Sequence, residues 1–252
     1  PMTERLIELD DSFYFFPQER KIAQVFDEFD SLALISTQNR DHSSEVMLHH
    51  IMADLQIMAG HNALAFNEAR KLIEISDCEF AAGIYFLTLS NIDIELNLYG
   101  KARERLLDAL ERLPEHRTLQ TRIHLHLLEL NVIQQSYNQA MLRIDKIERL
   151  NAKEGLHTLP RNIQIRYAAW KSLTYIYFGD TAYGLRLLNE FEANDDLKHS
   201  NGYEIIRHLL RRNYHHAVKE YDQALLHAEA YIQECQKFKN RHWEQNAYTR
   251  TG

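Results

Sequence analysis

Glycine and proline are scarce in this chain, with 8 and 4 in 252 residues, against roughly 12% for the two together in ordinary proteins. Little material is left for many tight turns or for a glycine-rich loop that would cradle a phosphate. No GxxxxGK[ST], GxGxxG, GxSxG or HExxH pattern occurs, which removes the motif-borne nucleotide sites, nucleophile elbows and helical zinc pairs. The two cysteines, Cys78 and Cys235, have no CxxC spacing and read as reduced thiols. Positive charge is also short: 29 Lys and Arg against 36 Asp and Glu give a net charge of -7, the wrong sign for a general nucleic-acid surface. The longest apolar run, Ala81 to Leu89 with Thr88 inside it, is far below the roughly 20 residues of a membrane helix. The start, PMTERLIELD, lacks the basic and apolar blocks of a secretory signal. The expectations are no nucleic acid, no membrane, no cofactor and a cytoplasmic location.

What the chain has is 45% hydrophobic residues, enough to bury a large core. Their pattern is contradictory in SNIDIELNLYGKARERLLDAL, where Asn91 to Leu98 alternate polar and apolar like a half-buried strand while the residues after Gly100 read as a helix. Recurrence decides the matter. Five segments align, each with a turn-forming or aromatic residue, then a small residue, then apolar residues at helical spacing: MAGHNALAFNEARKL, LYGKARERLLDALERL, QQSYNQAMLRIDKIERL, YFGDTAYGLRLLNEF and KEYDQALLHAEAYIQEC. The small residues are Ala65, Ala102, Ala140, Gly184 and Ala224, separated by 37, 38, 44 and 40. The last unit also reads with Ala217 in that place, a spacing of 33 from Gly184.

A period near forty is the range of helix-hairpin repeats. First helices are predicted at about 43–59, 79–98, 118–135, 162–178 and 203–219, and second helices at about 62–76, 101–113, 138–152, 182–194 and 222–238. Asn91 to Leu98 therefore belongs to a helix. The hairpins span about 43–76, 79–113, 118–152, 162–194 and 203–238, with Pro114, Gly155, Pro160 and Gly202 in the connections, where helices stop. Residues 17–36 read as an amphipathic capping helix. NRHWEQNAYTRTG, with Trp243, reads as a C-terminal helix from about 240 that caps the stack or opens a further hairpin in a longer chain. The FYFF cluster, Phe13 to Phe16, reads as core; if exposed, it would mark a docking or homodimer surface.

The units resemble tetratricopeptide repeats (TPR) in a lengthened form. The matching residues are Gly179-Asp180, Tyr137-Asn138-Gln139-Ala140, the set Ala102, Leu106 and Ala109, and Tyr221-Asp222-Gln223-Ala224-Leu225 running into Ala228. The resemblance covers about 43–238 and implies an all-α, right-handed α-α superhelix, a TPR-like solenoid of about five hairpins plus terminal helices in a single domain. It also implies a non-catalytic module that binds a protein or peptide. Such lengthened repeats resemble the N-terminal sensory or regulatory segments of bacterial signalling proteins such as GGDEF diguanylate cyclases, histidine kinases and LuxR-type activators. One alternative is a stand-alone peptide-responsive regulator or adaptor. Another, from the enzyme class, is a helical metal-dependent hydrolase using some of the 14 histidines.

For metals, His49-His50, His124 with His126, His208 with His215, and His215-His216 are the pairs to weigh. None has the i, i+4 spacing of a helical chelate, and His208 and His215, about 10 Å apart along a helix, need help from another helix. No metal site and no catalytic residue is expected. The candidate binding row lies eleven residues before each small residue, at Asp54, Asn91, Glu129, Leu173 and Asn213. Nearby positions on the same faces add His50, Glu95, Arg122, Arg166 and Tyr177. Amide and carboxylate groups beside apolar pockets suit an extended peptide or partner helix on a concave groove. The alternative is that these groups are solvated or pair with one another across neighbouring first helices.

Overall fold

The computed structural model describes Leu6 and residues 41–75, 78–198 and 202–237; the expected cap over 17–36, the FYFF cluster and the helix from about 240 lie outside them. The described residues form helices and no strand. In chain order these are α1 (His42–Met58), α2 (Asn62–Ile75), α3 (Glu79–Glu95), α4 (Tyr99–Arg112), α5 (Arg117–Ile133), α6 (Tyr137–Leu150), a 3-10 turn (Leu156–Thr158), α7 (Arg161–Phe178), α8 (Thr181–Ala193), the short α9 (Asp195–Lys198), α10 (Tyr203–Ala217) and α11 (Tyr221–Lys237). The ten long helices begin and end within three residues of the expected positions. The 3-10 turn and α9 were not expected. The alternation at Asn91 is helical as far as Glu95, and residues 96–98 turn.

The second helices are built alike. Each buries one stripe at i, i+4 and i+7: Ala65, Ala69 and Leu72; Ala102, Leu106 and Ala109; Ala140, Ile144 and Ile147; Gly184, Leu188 and Phe191; Ala224, Ala228 and Tyr231. These positions share one helical face, so the opposite face is left to charge. First helices bury more than one stripe; α7 buries eleven of its 18 residues and leaves Gln164, Ala168, Lys171 and Tyr175 as a half-buried line, as a helix covered by several neighbours must. The alternative register with Ala217 does not hold, because Ala217 is the last residue of α10.

The turns inside the hairpins repeat as closely. Gly60, Asn97, Gln135, Gly179 and Lys219 all have positive φ, each five residues before the small residue. In every turn the next backbone N–H reaches the carbonyl five residues back: His61 to Gln56 at 2.8 Å, Leu98 to Asp93 at 2.8 Å, Ser136 to Asn131 at 2.7 Å, Asp180 to Tyr175 at 3.0 Å and Glu220 to His215 at 2.8 Å. This is the Schellman ending, which satisfies the orphan carbonyls of a helix C-terminus. Two of the five are glycine, for which the left-handed conformation is free of steric cost.

By packing, the chain divides into two compact units, Pro1–Ile123 and His124–Gly252, with the division inside α5. In the first, α1 packs on α2 and α3, and α3 on α2 and α4. Ala53, Ile57, Ala65, Ala69, Leu89 and Ile92 form one core cluster there. In the second, α7 packs on α6, α8 and α10, and α10 on α8 and α11. In both, a first helix touches its own partner and the next first helix, the contact pattern of successive helical hairpins.

Candidate functional site

The expected polar row is present, and its groups are matched to one another. In the first unit Asp54 on α1 accepts from Asn91 Nδ2 on α3 at 2.9 Å and from Arg122 Nη2 on α5 at 2.8 Å. Arg122 is 1% exposed. His50, one turn before Asp54, is fully buried and meets Thr88 Oγ1 through Nδ1 at 2.8 Å. The Thr88 hydroxyl donates to the Ile84 carbonyl at 2.7 Å, so the imidazole is the donor to Thr88 and carries its proton on Nδ1. His50 Nε2 then faces Asp54 Oδ2 at 3.8 Å. Glu95, the last residue of α3, is half-buried and stands one turn beyond Asn91.

In the second unit Arg166 on α7 donates to Glu129 Oε2 at 3.2 Å, with His126 Nδ1 at 3.4 Å from the same nitrogen. Tyr177 donates to Asn213 Oδ1 at 2.5 Å. Leu173 fills its place in the row as a buried apolar residue. The sequence separations of Asn91 with Asp54, Arg166 with Glu129 and Tyr177 with Asn213 are 37, 37 and 36, so each pair joins neighbouring first helices. A buried charge lacking such a partner would cost several kcal/mol, which is why the acidic and basic members recur together. Sequence reading missed Asp93, paired with Arg105 at 2.9 Å, and Asn131, whose buried amide has no hydrogen-bond partner among the described residues.

The histidines are arranged by arginines. Arg143 Nη1 lies 3.4 Å from His124 Nδ1, and burial, then the cations of Arg143 and Lys146, push His124 down to about 4. On α10, Arg207 donates to His208 Nε2 at 3.0 Å, which leaves the proton on Nδ1, and His208 Nδ1 meets His227 Nδ1 of α11 at 3.0 Å. His215 stacks on the same His227 ring, 5.4 Å away at an interplanar angle of 7°. Burial first, then His208, His215, Arg207 and Arg211, push His227 down to about 4. The second helix that His208 and His215 needed is therefore there, yet among the described residues no group of three or more His, Cys, Asp or Glu is placed to hold a metal ion.

These shifts set a pH dependence. Below about 6.5 the unfolded chain takes up protons at these two imidazoles while the folded chain does not, so stability falls as pH falls from about 6.5 to about 4. The thermal midpoint is expected to drop across that window, and His124→Asn combined with His227→Gln to flatten the slope. An equal slope in wild type and variant would reject the assignment.

Two of the row's residues also open onto a cavity. In the second unit a space of about 580 Å³ is lined by Val132 and Ile133 of α5, Gln135, Tyr137, Trp170, Leu173 and Tyr177 of α7, Arg212, Asn213 and His216 at the end of α10, and Tyr221, Ala224, Leu225 and Ala228 of α11. Tyr137 and Tyr177 of this lining stack on one another with centroids 6.2 Å apart. Tyr177, Tyr221 and Leu225 are also exposed, Leu225 at 60%. Few residues signalled this in sequence, since Tyr221 and Leu225 were legible only as part of a repeat motif.

No family model, curated protein or solved structure matches the chain. No helix among the described residues is long and apolar enough to cross a membrane.

Proposed function

We propose that this chain is a non-catalytic helical-repeat module of TPR-like, right-handed superhelical type that binds a protein or peptide, and that it is the cytoplasmic sensory or regulatory segment of a bacterial signalling protein such as a GGDEF diguanylate cyclase. The observation that carries the binding reading is the cavity of the second unit with its apolar rim. Three large side chains of its lining, Tyr177, Tyr221 and Leu225, stay exposed, and clustered apolar exposure marks interaction sites. Concave sites with aromatic walls and a few convergent polar groups are the usual ligand geometry. The matched pairs around Asp54 and Arg166 act as internal ties, and the partner's binding energy comes from the rim. The signalling assignment rests on the sequence resemblance, and reading the encoding gene past the Gly252 codon checks it.

Panning a displayed peptide library on the full chain tests the binding. Selected peptides are expected to lose at least about ten-fold in affinity, about 1.4 kcal/mol, on Leu225→Arg or Tyr221→Arg, both at exposed positions where the fold tolerates charge. Undiminished affinity in both variants would place the partner elsewhere.

A further inference from the structure

The last second helix differs from those before it in what covers its flank. Beside the buried stripe runs a second line, at the positions three before and one, five and eight after the small residue: Tyr137, Met141, Asp145 and Glu148 on α6; Thr181, Leu185, Asn189 and Glu192 on α8; Tyr221, Leu225, Glu229 and Ile232 on α11. These positions fall on one side of a helix. On α6 and α8 the next first helix lies against that side. Lys171 and Tyr167 of α7 donate to Glu148 Oε1 at 2.7 and 2.8 Å, and Arg211 of α10 donates to Asn189 at 3.1 Å and to Glu192 Oε1 at 2.8 Å. Tyr137, Met141, Thr181 and Leu185 are accordingly half-buried. α11 is the last described helix, and its line is open: Tyr221 and Leu225 are 59% and 60% exposed. Asp222 and Glu229, both exposed, stand three residues before and four after Leu225.

Resting on the reading of this rim as a binding surface, we infer that its partner is a basic amphipathic helix, laid along α11 as one more first helix. Its apolar stripe covers Tyr221, Leu225 and Ile232, and its lysines or arginines face Asp222 and Glu229, as Lys171 and Arg211 face the acids of α6 and α8. The ridges of a helix match positions spaced i, i+4 on another helix, whereas an extended peptide alternates its side chains between two faces. An acidic helix would bring like charge to Asp222 and Glu229 in a chain of net charge -7, which suppresses such a partner.

The test is calorimetric titration of the full chain with three peptides of the length of α10, 15 residues. One is leucine and lysine with the leucines at helical spacing, one has glutamate in place of lysine, and one carries a central pair of prolines that stops the helix. The lysine peptide is expected to gain helicity by circular dichroism on binding and to bind at least about ten-fold tighter than either of the others. Leu225→Arg is expected to cost it about ten-fold. Leu226→Arg, at the same 60% exposure but about 100° further round α11, is expected to cost less than about two-fold. A benzophenone photocrosslinker, Leu225→p-benzoylphenylalanine, is expected to capture the lysine peptide. Equal losses in the two arginine variants, tighter binding of the glutamate or proline peptide, no binding by any peptide, or a crosslink that joins two copies of the chain or closes within one copy overturns the inference. Library peptides that need Leu225 but stay non-helical when bound keep the peptide-binding reading and remove this one, whereas lysine and library peptides that both ignore Leu225 and Tyr221 remove both.

Discussion

Gly184→Leu is expected to lower the stability of the second unit by about 3 kcal/mol, a large share of the 5–15 kcal/mol that holds an ordinary domain. A Cβ at Gly184 would sit 2.5 Å from Ile176 Cγ1, 3.1 Å from the Ile176 nitrogen and 3.3 Å from the Ser172 carbonyl oxygen. The first of these contacts can be relieved by turning the isoleucine. The other two are backbone of α7 and move only if α7 and α8 separate, which also breaks the hydrogen bond from Ser172 Oγ to the Gly184 carbonyl at 3.0 Å. Gly184→Ala sets that crowding against a helix-propensity gain of about 1 kcal/mol, so its effect is expected to be small. Urea unfolding monitored by circular dichroism measures both. A leucine variant with an unchanged midpoint would show that close approach is not what the small residue provides.

Asp54→Ala is expected to cost about 3–5 kcal/mol, because it leaves the Arg122 guanidinium buried without its carboxylate. Asn91 loses its acceptor in the same step. Arg122→Met with Asp54→Leu is expected to recover most of the loss, since a buried ion pair replaced by apolar groups of similar volume is close to neutral. Thermal or urea unfolding of Asp54→Leu, Arg122→Met and the pair gives the coupling directly. Additive losses, with the double variant the least stable of the three, would mean that the pair is not a unit.

The helices were legible in the sequence because their signal is short-range. A small residue followed at i+4 and i+7 by a buried one, as in Ala102, Leu106 and Ala109, is complete within two turns. The Schellman endings were only half legible: Gly60 and Gly179 announce a left-handed residue, but Asn97, Gln135 and Lys219 hold the same conformation with side chains that give no such notice. Asp54, Asn91, Glu129 and Asn213 were found by counting, yet whether they face a ligand or one another depends on the registry of one first helix against the next, which no local pattern carries. The cavity was least visible. Its walls come from α5, α6, α7, α10 and α11 and the Gln135 turn, so Trp170, Arg212 and Tyr221 gain a shared meaning only when these elements are brought together.

The uneven spacing of the repeat has a mechanical consequence. From Gly60 to Lys219 each hairpin bend keeps one hydrogen-bond pattern, while the stretch between α6 and α7 runs from Asn151 to Pro160 and includes the 3-10 turn. Extra length is thus taken up where one hairpin hands over to the next, and the bend is spared. Chain inserted after Asn151 would lengthen a seam, whereas a single residue added beside Gln135 would rotate every later side chain of α6 by about 100° and turn its buried stripe out of the core.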